Sequence, residues 1–359
     1  MNAKRRAQLI VPLVAVLLGF ILGAIVIVVT GKSPLGMLLA LVRTLTGFDL
    51  SGRGDYNARY VGEFLLQSLP IILTGLSIAF AFRTGLFNIG AEGQLMVGSL
   101  AAVSVALLVS APPLIHVVLC LLAAMLAGGL WGAVPGYLKA RFNVHEVVVS
   151  IMMNYTALYF VNWGLLLFGS VDRVKTPDFP PSATLKSVFL SNLTNGSRLN
   201  WGIIPVALAL LVFWFVIEKT TFGFRLRAVG FNKEAARYAG MKVERSIVLS
   251  MVISGAFAGL AGAVITLGTF NFGRVLPGFE GYGMDGIAVA LVGGNAAIGV
   301  LLSGLLFGLL KAAQPLMQSQ GIPREIASII QSSIVLFVAM RLGIEALLDL
   351  VRSNREVRR

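Results

Sequence analysis

The chain has 359 residues, 57% hydrophobic and 13% charged, with a mean hydropathy of +0.86, a balance that excludes a soluble globular domain and marks a polytopic membrane protein. The formal net charge of +13 does not signal nucleic acid, because the basic residues gather at the ends of apolar runs and form no single patch. The lone Cys120 excludes a disulfide framework and a thiolate metal site, and His116 and His145, too isolated for a metal cluster, read as residues at span ends.

Lys4, Arg5 and Arg6 precede an apolar run at 9–29 that is longer than a signal-peptide core and lacks a small-x-small cleavage pattern after it. It reads as an uncleaved first span with a cytoplasmic N-terminus. Residues 30–59 are polar and glycine-rich and read as an external segment. Within them Gly31-Lys32-Ser33 is similar to the end of a phosphate-binding loop, but the first glycine that motif requires falls at Val26, so no ATP site is expected in this chain. Spans follow at 60–82 and 86–109, joined by Arg83-Thr84-Gly85. After the Pro112-Pro113 turn, a fourth span runs to Leu138, with Lys139 and Arg141 at its inner end, and a fifth covers 147–168. Residues 169–200 carry three prolines, Pro177, Pro180 and Pro181, and read as an external cap or lid.

A sixth span at 201–217 leads into a charged segment, 219–245, and a seventh at 246–267 leads out of it. Lys219, Arg225, Arg227, Lys233, Arg237, Lys242 and Arg245 outnumber Glu218, Glu234 and Glu244, which places the segment in the cytoplasm. The pattern predicts a short amphipathic helix over Lys233–Tyr238 with the small pair Ala235 and Ala236 in it and Gly230 and Gly240 as breakers at its ends. It has the shape of a docking knob; a basic loop at the lipid headgroups is the alternative. In the seventh span Gly255 and Gly259 have small-xxx-small spacing, which permits close helix contact. Residues 271–283 read as an aromatic, glycine-rich external turn. The run 287–292 is too short to cross alone and is broken by Gly293-Gly294-Asn295, an interruption tolerated only inside protein or along a cavity. Spans at 298–317 and 326–340 complete a set of about ten, counting the broken one, and the basic tail 341–359 falls inside. The fold class is thus an all-α polytopic membrane protein, a single transmembrane domain over 1–359 with its core at 60–340.

No nucleophile motif, histidine–carboxylate pair or phosphate loop appears. The informative residues are polar groups at membrane depth, each of which needs a partner or a water-lined cavity. They fall in three clusters. Residues 85–94 hold three glycines with Asn88, Glu92 and Gln94 at the start of a span, where Glu92 could equally serve the helix N-terminus. Residues 143–155 place Asn154 deep in the fifth span, where a helix–helix hydrogen bond is the alternative role. Residues 271–285, with Phe270 just before them, combine Phe272, Phe279 and Tyr282 with Glu280 and Asp285; rings stack on a base and acids bind ribose hydroxyls, while an interfacial aromatic belt accounts for the rings equally well.

The segment 221–241 resembles the coupling loop of ABC-transporter permease subunits, which seats in a cleft of the ATP-binding subunit. Residues 85–94 resemble the signature of nucleoside and simple-sugar ABC permeases, and 143–155 resemble the segment opening the fifth span in that family. Gly278-Phe279, Gly281-Tyr282-Gly283 and the run Asp285-Gly286-Ile287-Ala288-Val289-Ala290-Leu291 are similar to the nucleoside branch. Where relatives carry a basic residue and then a proline around the following break, this chain reads Val292-Gly293-Gly294-Asn295-Ala296-Ala297-Ile298-Gly299.

The resemblance spans 60–340. It implies a cytoplasmic-membrane permease importing nucleosides, with no cofactor or metal of its own, ATP in partner subunits, and no nucleic acid. The implied partners are a second permease of different sequence, ATP-binding cassette subunits, an extracellular substrate-binding lipoprotein and membrane lipid. Residues and resemblance together assign Phe87, Asn88, Glu92, Gln94, Asn154, Tyr155, Asn271, Tyr282 and Asp285 to the substrate pathway. They assign Gly230, Lys233, Glu234, Ala235, Ala236, Arg237 and Gly240 to ATPase docking. Three rivals remain: a ribose-like simple-sugar ABC permease, an ion-coupled carrier with Glu92 as its ion site, and a non-transporting scaffold.

Overall fold

The structure, a computed structural model, describes residues 3–50, 54–169 and 174–340, with side chains from residue 13 onward; the expected basic tail lies outside the described residues. The described chain is helical, with three isolated β-bridges as its only extended pairings. Five helices are long and apolar enough to cross a membrane: α3 (Ala58–Arg83), α4 (Ala91–Leu108), α5 (Pro113–Phe142), α11 with its π-helical continuation (Val243–Phe270) and α13 (Ala297–Ser319). A sixth is reached if α8 (Ile203–Lys219) and α9 (Thr221–Phe231), bent by 72° at Thr220, count as one span. The other elements are α1 (Ala3–Val29), α2 (Pro34–Thr46), α6 (Glu146–Leu166), α7 (Val188–Leu193), α10 (Lys233–Tyr238), α12 (Tyr282–Val292) and α14 (Glu325–Ala339). By length and apolarity the count therefore falls short of ten. Helix α6 is long enough but made less apolar by Asn154, Tyr155 and Asn162, and α12 and α14 are short.

Helices α3 and α11 form the centre. Leu73, Leu76, Ile78, Ala79 and Phe80 of α3 and Ala258, Ala261 and Ala263 of α11 are fully buried. Between two apolar helices in lipid there is no hydrophobic gain from association, so contact rests on close van der Waals fit. Small residues supply it. The expected small-xxx-small face of α11 meets α5 backbone to backbone, and a Cβ on Gly128 would sit 2.8 Å from the Gly259 Cα. On the far side Gly19 and Gly23 of α1 receive Ile334 and Ile330 of α14, so these two helices run antiparallel. The same reading of neighbours puts the end of α3, the end of α5, α10 and the start of α11 on one face, the α10 face. The α1–α2 turn, residues 174–202 and the α13–α14 turn lie at the opposite face.

Three elements differ from the sequence reading. The polar segment 30–59 contains α2, whose Met37, Ala40, Leu41 and Thr44 bury one face at helical spacing. Ser33 caps its start, Pro34 opens its first turn, and Gly47 at φ 80° closes it. Thirteen residues cannot cross a bilayer, so a search for spans passes over it. Second, 271–283 is not a turn lying over the helix ends. After Asn271 (φ 69°) the chain descends between α4 and α6 as irregular backbone, and α12 begins at Tyr282, five residues before the expected broken run. Third, the segment after Glu218 is two helices, α9 and α10. Gly230 lies inside α9 and ends nothing; Asn232 caps α10 through Glu234 N–H and Ala235 N–H, both at 3.0 Å.

The cap segment packs on the opposite face. Phe179 N–H donates to the Asn271 carbonyl at 3.0 Å and Leu185 N–H to the Leu267 carbonyl at 3.0 Å. His116, buried in the first turn of α5, reaches Ser182 through Nδ1 at 2.9 Å, and His145 is the residue before α6.

Candidate functional site

Irregular backbone inside a helical bundle leaves amides and carbonyls that α-helix would have satisfied. Here polar side chains supply the missing partners. Glu92, in the first turn of α4 and 4% exposed, reaches across to the start of α12. Its Oε1 accepts the N–H of Glu280 and of Gly281, each at 2.9 Å, and its Oε2 accepts that of Gly283. Gly281 precedes α12 without a capping side chain, at φ 83°. A carboxylate from another helix thus meets the open amides of α12, where the helix dipole also favours negative charge. Thr74 of α3 donates to the Tyr282 carbonyl at 2.8 Å. A Cβ on Gly283 would lie 2.7 Å from the Glu92 amide nitrogen, so the glycine permits the approach.

Helix α6 contributes two similar clamps. Asn154 accepts from Gly93 N–H at 2.9 Å and donates to the Ile89 carbonyl at 3.0 Å; Asn162 donates to the Leu276 carbonyl at 2.7 Å and accepts from its N–H at 2.9 Å. Asn88, fully buried, donates to Gln94 Oε1 at 2.8 Å and to Ser254 Oγ at 2.7 Å, while Gln94 Nε2 donates back at 3.1 Å. Ser254 in turn donates to the Ser77 carbonyl at 2.6 Å, closing a network among α3, α4 and α11.

Beside α12 lies an ion pair. Lys311 of α13 donates to Asp285 at 3.1 Å, and its Nζ stands 3.8 Å from the Tyr282 ring centroid. Towards the opposite face a cleft of about 900 Å³ opens along the irregular strand, walled by Phe272, Arg274, Leu276, Phe279 and Glu280 with Lys175 at its mouth. Arg274 donates to Glu280 at 2.9 Å and lies 3.5 Å over the Phe270 ring; Phe279 meets Tyr155 edge to face with ring centroids 5.0 Å apart. A separate cavity of about 20 Å³, which shares Arg274, Leu276 and Glu280 with the cleft, lies beside the Ser99–Thr266 hydrogen bond of 2.6 Å. Flat aromatic faces beside an acid and a guanidinium can stack on a planar ring and hydrogen-bond hydroxyls.

Of the residues expected in the pathway, Glu92, Tyr282 and Asp285 meet at the start of α12, Tyr155 reaches the strand before it through Phe279, Asn154 holds the entry to α4, and Asn88 and Gln94 sit in the network of α3, α4 and α11. Asn88, Glu92, Gln94 and Asn154 are buried and already hydrogen-bonded, while Tyr155 is 51% exposed. Phe87 stacks on Phe82 towards the α10 face. Asn271 stands apart at the end of α11, its Oδ1 buried without a hydrogen bond. Sequence reasoning missed Lys311, Arg274 and Asn162. Lys311 and Asn162 each carried a signal, a polar residue inside an otherwise apolar helix; Arg274 carried none beyond its place among the aromatic residues.

The α10 surface is built as a projecting corner. Gly240, at φ 78°, and the bond from Met241 N–H to the Ala236 carbonyl at 3.0 Å close the helix with a left-handed cap. Ala236 is buried against Ala81, Leu86, Val243 and Met251, whereas Ala235, Glu234, Arg237 and Gly240 face outward and Lys233 is half-buried. Arg237 pairs with Glu234 at 3.1 Å and Glu244 at 2.8 Å, and its hydrogen bond to Glu244 raises the guanidinium pKa further. Phe231, the last residue of α9, and Tyr238, the last of α10, are 92% and 93% exposed. Isolated large aromatics this exposed suit burial against another protein. Behind them Gly230 abuts the end of α3; a Cβ there would lie 2.5 Å from the Arg83 carbonyl oxygen.

Residues 60–339 match the family described as the permease component of branched-chain amino acid transport systems. The chain is 50% identical to the guanosine ABC transporter permease NupP of Bacillus subtilis over 94% of each chain. It is 37% identical to the nucleoside ABC transporter permease NupB of Lactococcus lactis, over 97% of this chain and 95% of that one. A second guanosine ABC transporter permease of B. subtilis, NupQ, is 30% identical over 68% of this chain and 78% of its own. With a central bundle, an interrupted segment pinned by Glu92 and a projecting α10, the chain belongs to this ABC-transporter permease family.

Proposed function

We propose that this chain is one permease subunit of an ATP-driven nucleoside importer in the cytoplasmic membrane. The observation that carries the substrate class is the 50% identity to a guanosine permease over 94% of both chains. The cleft suits that substrate: Phe272 and Phe279 offer faces for a base, and Glu280 with Arg274 offers an acceptor and donors for ribose hydroxyls.

In this reading the chain crosses the membrane ten times. Helices α1, α3, α4, α5, α6, α8, α11, α13 and α14 make nine crossings, and the irregular strand 272–281 with α12 makes the interrupted tenth. The termini and α10 then share the cytoplasmic side, in keeping with the basic excess at 219–245. The outward aromatics Phe231 and Tyr238 seat α10 in an ATP-binding subunit, and ATP is bound there and not by this chain. The second permease is a different chain; that B. subtilis has two guanosine permeases which this sequence resembles unequally, at 50% and 30%, supports the pairing of unlike subunits. An external substrate-binding protein delivers nucleoside to the opposite face.

The test is uptake of labelled guanosine into proteoliposomes holding the chain with its co-purifying partners. Uptake that needs ATP on the α10 side and ignores an ionophore is the expected result. Uptake by the chain alone that an ionophore abolishes would replace the reading with an ion-coupled carrier, and ATP-dependent uptake of ribose but not guanosine would replace the substrate.

A further inference from the structure

A second cleft, of about 460 Å³, opens at the α10 face between the start of α9 and the start of α11. Three cations line it: Arg225 from α9, Lys242 from the α10–α11 link and Arg245 from the first turn of α11. All three are exposed, and among the described residues none has an acidic partner. Their neighbours do: Glu218 takes Arg83 and Arg227, and Glu234 and Glu244 take Arg237. No acid lines the cleft, so its positive charges stand uncompensated.

Phe222, Met241 and Leu249 give the cleft an apolar wall, and Gly240 and Ser246 complete the lining. Its position gives that wall a meaning. Helix α9 leaves α8 at 72° and buries Gly223, Leu226 and Val229 on one side. It therefore lies across the end of the bundle, which in the membrane placement proposed above is where a bilayer changes from chains to headgroups, while Leu249 is part-way along α11, a helix long and apolar enough to cross. The cleft offers cations on its outer side and hydrocarbon on its inner side. A ligand matching both is a phosphate anion with acyl chains.

We infer that this cleft binds the phosphate headgroup of an anionic phospholipid, with its glycerol and upper chains against Phe222 and Leu249. Bound there, the lipid fastens the α8–α9 elbow to the start of α11, the two elements that carry α10. Basic pockets between helices on the cytoplasmic side are suited to acidic headgroups, each cation contributing on the order of 1 kcal/mol.

The full chain, purified in neutral detergent, is titrated separately with dioleoyl-phosphatidylglycerol, dioleoyl-phosphatidylcholine and inorganic phosphate, and read by native mass spectrometry and thermal unfolding. Phosphatidylglycerol is expected to bind at least about tenfold tighter than phosphatidylcholine and to raise the unfolding temperature, with millimolar phosphate displacing none of it. Each of Arg225→Gln, Lys242→Gln and Arg245→Gln weakens phosphatidylglycerol about fivefold and the triple variant about a hundredfold, whereas Arg324→Gln on the opposite face changes nothing. Equal binding of the two lipids to the native chain overturns the inference without any variant, as does unaltered phosphatidylglycerol binding by the folded triple variant. Binding of inorganic phosphate with the same variant sensitivity would assign the cleft to a free anion. A triple variant that keeps its lipid preference but loses the co-purifying ATP-binding subunits would assign it to a protein contact. Should the triple variant fail size-exclusion chromatography, the native lipid comparison and the single variants decide.

Discussion

Replacing Glu92 with alanine tests whether α12 is held in place from a neighbouring helix. Three amides, those of Glu280, Gly281 and Gly283, donate to this carboxylate. The variant leaves them without an acceptor in a water-poor interior, at roughly 1–3 kcal/mol for each buried donor. Removing a buried charge offsets part of that, and two anchors survive, the Thr74 bond to the Tyr282 carbonyl and the Asn162 clamp on Leu276. The low end, about 3 kcal/mol for the three donors, is therefore the expected loss. The assay is alkylation of Ala290→Cys, at a position of α12 that is 0% exposed, in a protein whose native Cys120 is also 0% exposed. If the thiol reacts only when α12 detaches, 3 kcal/mol raises its rate about a hundredfold. Glu92→Gln, which keeps one acceptor oxygen but turns an N–H₂ towards Gly283, falls between native and alanine. A rate within about threefold of native for Glu92→Ala, with uptake unchanged, would refute the argument that this carboxylate anchors α12.

Lys311→Met strands the Asp285 carboxylate, whose side chain is 20% exposed. The expected cost is about 1–3 kcal/mol, with Asp285→Asn in the same chain recovering most of it, and a double-mutant cycle on thermal unfolding measures the coupling. Gly259→Leu drives a Cβ into the Ala124 carbonyl and to 3.2 Å from the Gly128 Cα, so the chain should lose its monodisperse peak in size-exclusion chromatography, whereas Gly278→Ala, with nothing within 4 Å, keeps it. Phe231→Ala with Tyr238→Ala should reduce retention of the ATP-binding subunits about tenfold or more in a pull-down while leaving thermal unfolding of the isolated chain unchanged, because both side chains are over nine-tenths exposed.

The sequence made visible whatever is set by composition and by short-range pattern. Long apolar runs mark α3, α4, α5, α11 and α13, and Lys233–Tyr238 is helical over the expected residues because Asn232 and Gly240 cap it from either side. Tertiary satisfaction was hidden. An asparagine in a span announces that it needs a partner but not which; Asn154 finds the backbone of Ile89 and Gly93, not another helix side chain. Glu92 suggested its own helix N-terminus and serves that of α12 instead, 188 or more residues away in sequence. Gly230 looked like a breaker because glycine near charged residues often is, but its lack of a Cβ serves the approach to Arg83. Helix α2 escaped notice because a span search weighs length before periodicity.

These placements also define a contiguous route from α10 to α12. Ala236 seats α10 on Leu86 and Ala81, and Gly230 of α9 abuts the Arg83–Gly85 turn. That turn leads within a few residues to Ile89, held by Asn154, and to Asn88, held by Gln94 and Ser254. Gly90 then opens α4, and Glu92 in its first turn holds the start of α12. The bundle centre and the interrupted edge are thus joined by side-chain-to-backbone bonds from Asn154 and Glu92. Contiguity alone does not establish coupling; both ends must bias one two-state element. If that element is α12 in the transporter proposed above, its state is readable: ATP should alter the alkylation rate at Ala290→Cys in the native background and leave it unaltered once Glu92 is alanine. An ATP response of equal size in both backgrounds would mean that motion reaches α12 through α3 and α13, and that the Glu92 contact follows the movement without transmitting it.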